Sequence, residues 1–393
     1  MFDTIVLGLG AMGSAAVYQL AKKGNKVLGI DQFAPPHAYG STHGDTRITR
    51  LAIGEGAHYT PLAIRSHEIW REVERETGAT LLTANGGLII SSRAPRAFTH
   101  VEGFFANTLA AAKKFAIDHE LLDAPEIRRR FPQFNVRDDE VGYFERDAGF
   151  LRPEECVRAE LWLARRHGAA IHAGETVRGF DATSSGVDVV TDRATYHAGR
   201  LIVAAGPWLS RWLRADRASL LKIYRQTLFW FDIRGPIDAF ASDRFPVFIW
   251  ELQGEPQGIY GFPAIDGPGG GLKVASEDFG ATTTPDSVDR DVTDGEKRAM
   301  YENYVAPNLP GVGARCLRAT TCLYTVTPDF GFVIDAHPEF ERVFVASPCS
   351  GHGFKHSAAL GEALAERVVD GASRLDLDPF RWSRFEAVGG TGG

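Results

Sequence analysis

Apolar residues along the chain fall into two alternating textures. The first opens it: a run at 5–7 (Ile5, Val6, Leu7) stops at Gly8, and Ala15, Ala16, Leu20 and Ala21 then share one helical face. Gly24 follows, and a second run at 27–30 ends in Asp31. This predicts strand, turn, helix, strand. An amphipathic helix is predicted over 61–77 (Leu62, Ile64, Ile69, Trp70, Val73), a strand over 86–90, and helical pattern over 108–131, broken before Pro132. Another helix starts at Pro153 with Glu154 and Glu155 in its first turn, where the helix dipole favours acids. Strands follow at 177–180, 187–191 and 201–206, the last apolar enough to extend the opening sheet. The second texture, short aromatic-rich runs at 226–233, 245–252, 258–262 and 272–276, predicts an antiparallel sheet. The first texture then returns with a strand at 343–346, a glycine turn at 350–354 and a helix at 355–369. The expected fold is α/β (α+β), with a discontinuous nucleotide domain (1–85, 145–215, 322–393) and a second, antiparallel-sheet domain (86–144, 216–321). No fixed period repeats along the chain.

The opening unit carries chemistry. Gly8, Gly10 and Gly13 form G-x-G-x-x-G between strand and helix, and Asp31 closes the second strand. Gly8 permits the tight turn, Gly10 lets backbone approach a pyrophosphate, and Gly13 lets helix pack on strand. The helix N-terminus offers N–H groups and partial positive charge to phosphates. Asp31 is placed to accept hydrogen bonds from ribose hydroxyls, which favours FAD or NAD over NADP. After it, 35–50 (PPHAYGSTHGDTRITR) is polar with almost no periodicity, the composition of a functional loop.

Composition narrows the class. A chain of 393 residues has material for about two domains. A net charge of −7 argues against a general nucleic-acid or anionic-membrane binder. No apolar run is long enough to span a membrane, and an opening that goes straight into a strand predicts no signal peptide. The four cysteines (Cys156, Cys316, Cys322, Cys349) include no C-x-x-C pair, so neither a disulfide framework nor a zinc site is expected. A cytoplasmic setting follows as the expectation. The tail at 389–393 is linker-like.

Four stretches together resemble the monomeric sarcosine oxidase and N-methyltryptophan oxidase family of flavoenzymes. They are 8–31, Gly40-Ser41-Thr42-His43-Gly44-Asp45-Thr46-Arg47 with Arg50, Thr321-Cys322-Leu323-Tyr324-Thr325, and Ser350-Gly351-His352-Gly353-Phe354-Lys355. Gly258-Ile259-Tyr260-Gly261-Phe262-Pro263 and Gly271-Leu272-Lys273 extend the resemblance over nearly the whole chain. It implies a glutathione-reductase-type FAD-binding domain and an oxidase that uses O2. Cys322 matches the cysteine carrying FAD covalently; Cys156, Cys316 and Cys349 are read as small buried hydrophobes. Lys273 matches the lysine where oxygen is reduced, its fixed charge stabilising developing superoxide. Arg50 and Lys355 match the two cations that clamp the substrate carboxylate, and neither motif shows a structural partner for them. His43, Thr46, Arg47 and Tyr260 match residues lining flavin and substrate, and 350–354 approach the flavin ring through backbone. Ala11, Met12, Gln32, Ser41, Thr42, Val177, Ala205, Gly206 and Trp208 complete the expected cofactor surface.

The departure is Glu277, where sarcosine-type enzymes carry a histidine four residues after the lysine. Lys-x-x-x-Glu is similar to fructosyl amino acid oxidases, which lack the H-G-D-T-R loop. The implied function is oxidation of a secondary amine α to a carboxylate, with the imine hydrolysing and O2 yielding H2O2. The expected partners are a small amino-acid substrate and O2, with the chain a monomer. Alternatives are a cyclic imino-acid or glycated-amine substrate, a dehydrogenase using another electron acceptor, or a flavoprotein scaffold without activity. Glu277 is either a specificity residue beyond the amine or a solvated strand end.

Overall fold

A computed structural model describes residues 1–92, 101–252, 258–347 and 350–386; Cys349 and the tail at 389–393 lie outside them. β1 (Phe2–Leu7), α1 (Ala11–Lys22) and β2 (Val27–Asp31) form in the predicted order, with β1 and β2 parallel. A Cβ on Gly13 would lie 1.7 Å from the Gly8 carbonyl oxygen, so helix and strand can touch only if position 13 stays bare. The strand Thr195–Val203 pairs parallel on the other edge of β1, and Phe340–Ser347 pairs parallel with its end. The run at 201–206 therefore does extend the opening sheet, which has eight strands among the described residues. Alternation along β1 sends Val6 into a core with Trp70, Ala159 and Leu360 from the covering helices, while Ile5 and Leu7 join Leu28, Leu201 and Val187 in another.

The second sheet has nine strands among the described residues and includes Lys222–Ile233, Val247–Glu251, Ile259–Phe262 and Leu272–Ala275. It is mixed rather than purely antiparallel: Gly87–Ser92 pairs parallel with Val247–Glu251. No hairpin joins those two strands, so no turn dictates their direction. Its longest strand, Val312–Val326, is absent from the sequence expectation because Arg315 and Arg318 interrupt the apolar pattern. It lies antiparallel along Lys222–Ile233, placing Cys322 opposite Gln226, and runs through the boundary expected at 321/322. The stretch at 108–131 is not one helical segment. It holds the end of the helix Phe104–Lys114, the strand Glu120–Asp123 and the helix Ala124–Arg130. Asp123 caps that second helix by accepting from the Glu126 N–H, 2.9 Å. Cys156 is buried, but Cys316 is half-buried and donates to the Arg318 carbonyl, 3.1 Å, so it is not the core hydrophobe expected.

A small third sheet positions the site. Arg47–Thr49 pairs with Gly149–Leu151, which also pairs with Leu82–Thr83. The loop at 35–50 thus ends in a strand carrying Arg47, with Arg50 just beyond it.

Candidate active site

Two cavities meet beyond the C-terminal ends of β1 and β2. The larger spans about 1310 Å³ and the smaller about 780 Å³, open space at their mouths included, and Arg47, Tyr324, Gly351 and Phe354 line both. The larger is lined by Gly8, Gly10, Ala11, Met12, Asp31, Gln32, Ser41, Thr42, Val177, Ala205, Gly206, Trp208 and Gly353, which brings these expected cofactor residues together around one cavity. Its floor suits a dinucleotide. Gly8 has φ 89°, and a Cβ there would sit 2.5 Å from the Ala204 carbonyl oxygen. The α1 N-terminus has Gly10, which brings no side chain, as its cap; Ala11 N donates to Thr42 Oγ1 (3.3 Å), and Gly10, Ala11 and Met12 all line the cavity. Asp31 accepts from the Leu9 and Phe33 N–H groups, 2.8 Å each, fixing the glycine turn while its carboxylate still lines the cavity.

Gly13, His43, Lys273, Cys322 and Ser350 stand behind these linings rather than in them. Cys322 is buried with its sulfur 3.5 Å from both the Ser41 carbonyl and Arg47 Nη2. Arg47 donates to the Ser41 and Thr46 carbonyls, 2.7 and 2.8 Å, which pins its guanidinium between cysteine and cavity. Lys273 is buried and donates to Gly44 O (2.7 Å), Thr46 O (2.9 Å) and Thr46 Oγ1 (3.1 Å). Phe262 and Trp230 flank its ammonium, ring centroids 4.5 and 5.4 Å away. Burial and the adjacent Arg47 hold its pKa well below the ordinary lysine value. Burial, with Arg47 and Lys273, also lowers His43 to about 3, so its imidazole is neutral, and Nε2 has no hydrogen-bond partner among the described residues. Ser350 fixes the glycine turn from below, its amide donating to Thr325 O (2.8 Å) and its hydroxyl to Gly331 O (3.0 Å).

The smaller cavity is lined by Thr46, Arg50, Glu55, Tyr260, Glu277, His352 and Lys355, with Phe104 and Phe262 among the apolar walls. The expectation that Arg50 and Lys355 lack a partner is overturned. Glu55 stands between them, 2.6 Å from Arg50 Nη2 and 3.4 Å from Lys355 Nζ. Arg50 also donates to Ala52 O (2.6 Å), and Lys355 to His352 O (2.8 Å). His352 itself is held by a 3.1 Å contact to Phe330 O. Burial lowers Lys355 to about 8, with Glu55 opposing the shift. Glu277 is half-buried in the cavity wall beside Gly351, so it is not a solvated strand end. The Tyr260 and Tyr324 hydroxyls lie 3.4 Å apart, and burial raises both phenols, leaving them neutral.

Sequence reasoning missed Glu55 and Tyr324 as cavity residues. Tyr324 sits two residues after Cys322 in a strand, so period two puts both side chains on one face. For Glu55 the only signal was a carboxylate five residues after a buried arginine.

Residues 3–367 match the profile of the family described as FAD dependent oxidoreductase. The chain is 42% identical over 390 residues to the monomeric sarcosine oxidase of Streptomyces avermitilis, covering 98% of each protein. It is 33% identical over 389 residues to the N-methyl-L-tryptophan oxidase of Salmonella dublin, covering 98% of this chain and 99% of that one. The fold is similar to that of NikD, an unusual amino acid oxidase essential for nikkomycin biosynthesis, with a TM-score of 0.82, 24% identity and 97% of each chain covered.

Proposed function

The chain belongs to the FAD dependent oxidoreductase family, and on that premise we propose that it oxidises N-methylated α-amino acids and passes the electrons to O2. One observation carries the reading: a chamber with a buried Arg50 and Lys355 shares its wall with a cavity shaped for a dinucleotide. When bound, FAD would supply the redox step, accepting a hydride equivalent from the C–H bond beside the amine nitrogen as the amine gives up a proton and C–N becomes C=N, and the two electrons would then reduce O2 to H2O2. Everything else is the work of this chain's side chains. Gly8, Gly10, Asp31 and the α1 N-terminus would hold the dinucleotide, and Arg47, Gly351 and Phe354 would meet its reactive end. Around the chamber Arg47, Arg50 and Lys355 outnumber Glu55 and Glu277 by one charge, leaving room for one substrate carboxylate. Tyr260 and Tyr324 offer neutral hydroxyls beside it, and His43, neutral and buried, supports the loop rather than carrying charge. Names of the more similar relatives favour N-methyl amino acids over the cyclic and glycated alternatives.

We further propose that the protein is a cytoplasmic monomer, the oligomeric state being suggested by the printed name of its relatives, monomeric sarcosine oxidase. Cys156 and Cys316 form no disulfide among the described residues, in keeping with a reducing setting, and no helix among those residues is long and apolar enough to cross a membrane. Oxygen uptake tests the acceptor: purified, flavin-loaded protein should consume O2 and release H2O2 one for one. A protein reduced by substrate yet reoxidised only by an added acceptor would be a dehydrogenase.

Cys322 is the residue proposed to carry FAD covalently, because its buried sulfur lies 3.5 Å from both Ser41 and Arg47, which line the cavity. Acid-denatured protein should keep its yellow colour in the pellet, and Cys322→Ser should release it to the supernatant. Colour in the supernatant of fully loaded wild-type protein would remove the assignment.

Glu277 is proposed to read the substrate side chain. It shares the wall with Tyr260, Tyr324 and Gly351 and adds negative charge beside both phenols. A carboxylate there favours a polar or cationic substituent over the bare methylene of sarcosine. Glu277→Gln should shift relative turnover away from such substrates and towards small ones. Unchanged ratios across small, bulky and polar N-methyl amino acids would leave it without that role.

A further inference from the structure

We infer that Glu154 positions Lys273 and supplies its countercharge, acting through the Gly44–Asp45 peptide; this rests on the reading of Lys273 as the cation of the oxygen step. The helix Pro153–Arg166 presents Glu154 to the loop, where its Oε1 accepts from Gly44 N (2.6 Å) and Asp45 N (3.2 Å). Gly44 O, the other end of the Gly44–Asp45 peptide, accepts from Lys273 Nζ at 2.7 Å. The peptide dipole thus points its N–H at a carboxylate and its C=O at an ammonium, the favourable order for both.

The same turn is conformationally demanding. Gly44 has φ 96° and Asp45 φ 67°, and Thr46 N closes back on Gly44 O at 2.8 Å. Glu154 clamps both amides of this turn, and Arg318 holds the Asp45 carboxylate from the other side. Only while the turn keeps its shape do Gly44 O, Thr46 O and Thr46 Oγ1 converge on one nitrogen.

Lys273 needs that support. The charged and titratable groups facing it are Arg47 and His43 from the loop and its strand, Cys322 from Val312–Val326, and Glu154 from the helix. Arg318, stacked 3.8 Å from the Trp230 ring centroid, adds a further cation on the far side of that indole. Burial and Arg47 oppose the charged ammonium, while Glu154 favours it, as does Cys322 only so long as its thiol is not joined to FAD. All three hydrogen-bond acceptors of the ammonium are uncharged, so Glu154, reaching it through one peptide, is the carboxylate that offsets Arg47.

The test is an NMR titration of ¹³Cε-labelled lysine in the oxidised, flavin-loaded enzyme without substrate, with the Lys273 signal identified by its loss in Lys273→Met. Glu154→Gln keeps an acceptor for both amides but removes the charge. The Lys273 signal should then titrate lower by about one pH unit, and Glu154→Asp should recover much of the shift. The pH above which the reduced flavin reacts slowly with O2 should move down with it. An unmoved Lys273 titration in Glu154→Gln would overturn the coupling whatever Lys273 does. Conversely, rapid reoxidation in Lys273→Met would refute the oxygen role while leaving the titration to decide Glu154.

Discussion

Lys273→Met should slow reoxidation of the reduced flavin by O2 about 100- to 1,000-fold, while anaerobic reduction by substrate suffers far less. The asymmetry follows from where the charge sits. Nζ is locked by Gly44 and Thr46 in a buried setting between Phe262 and Trp230, outside the lining of the chamber proposed to hold the carboxylate clamp. A cation so placed needs no reorganisation when negative charge develops on oxygen, and low dielectric magnifies its effect. Methionine keeps the length and removes the charge. Stopped-flow mixing of reduced enzyme with O2 measures the first half-reaction, and anaerobic mixing with substrate the second. Equal losses in both would contradict the assignment.

Arg50→Ala should weaken a carboxylate inhibitor such as acetate by about 2–5 kcal/mol. Glu55 sharpens this expectation. With Arg50 gone, Glu55 faces Lys355 alone, and the pair is neutral where the substrate carboxylate is proposed to bind. Glu55→Gln has the opposite sign: it frees a charge of the clamp and should tighten acetate. The pH dependence is equally directional. Lys355, lowered to about 8, is cationic below that value and neutral above it, so acetate affinity should fall as pH rises through about 8. Inhibition constants for the wild type and both variants, measured across that range, check all three. Acetate binding that ignores Arg50→Ala would place the clamp elsewhere.

The nucleotide half of the site was legible because its physics is local. Gly8, Gly10, Gly13 and Asp31 lie within one strand–helix–strand unit, and the run at 201–206 was apolar enough to belong beside it. The substrate half was less so. Glu55 sits in a short loop with no periodicity and meets Lys355 across 300 residues of chain. Glu154 read as an ordinary first-turn acid, since nothing in its own helix shows that it reaches back to Gly44 and Asp45. The strand holding Cys322 was hidden by arginines that face outward at its far end. The parallel pairing of Gly87–Ser92 is a register decided by the whole sheet rather than by either strand.

The most direct measurement is peroxide release by purified, flavin-loaded protein across paired compounds: sarcosine, N-methylalanine and N-methyltryptophan, each beside its carboxamide. N-methyl amino acids should turn over with one H2O2 per O2 consumed, and the carboxamides, which cannot engage Arg50 and Lys355 as anions, should turn over poorly. Equal turnover of acid and amide, or no turnover of any N-methyl amino acid, would contradict the account.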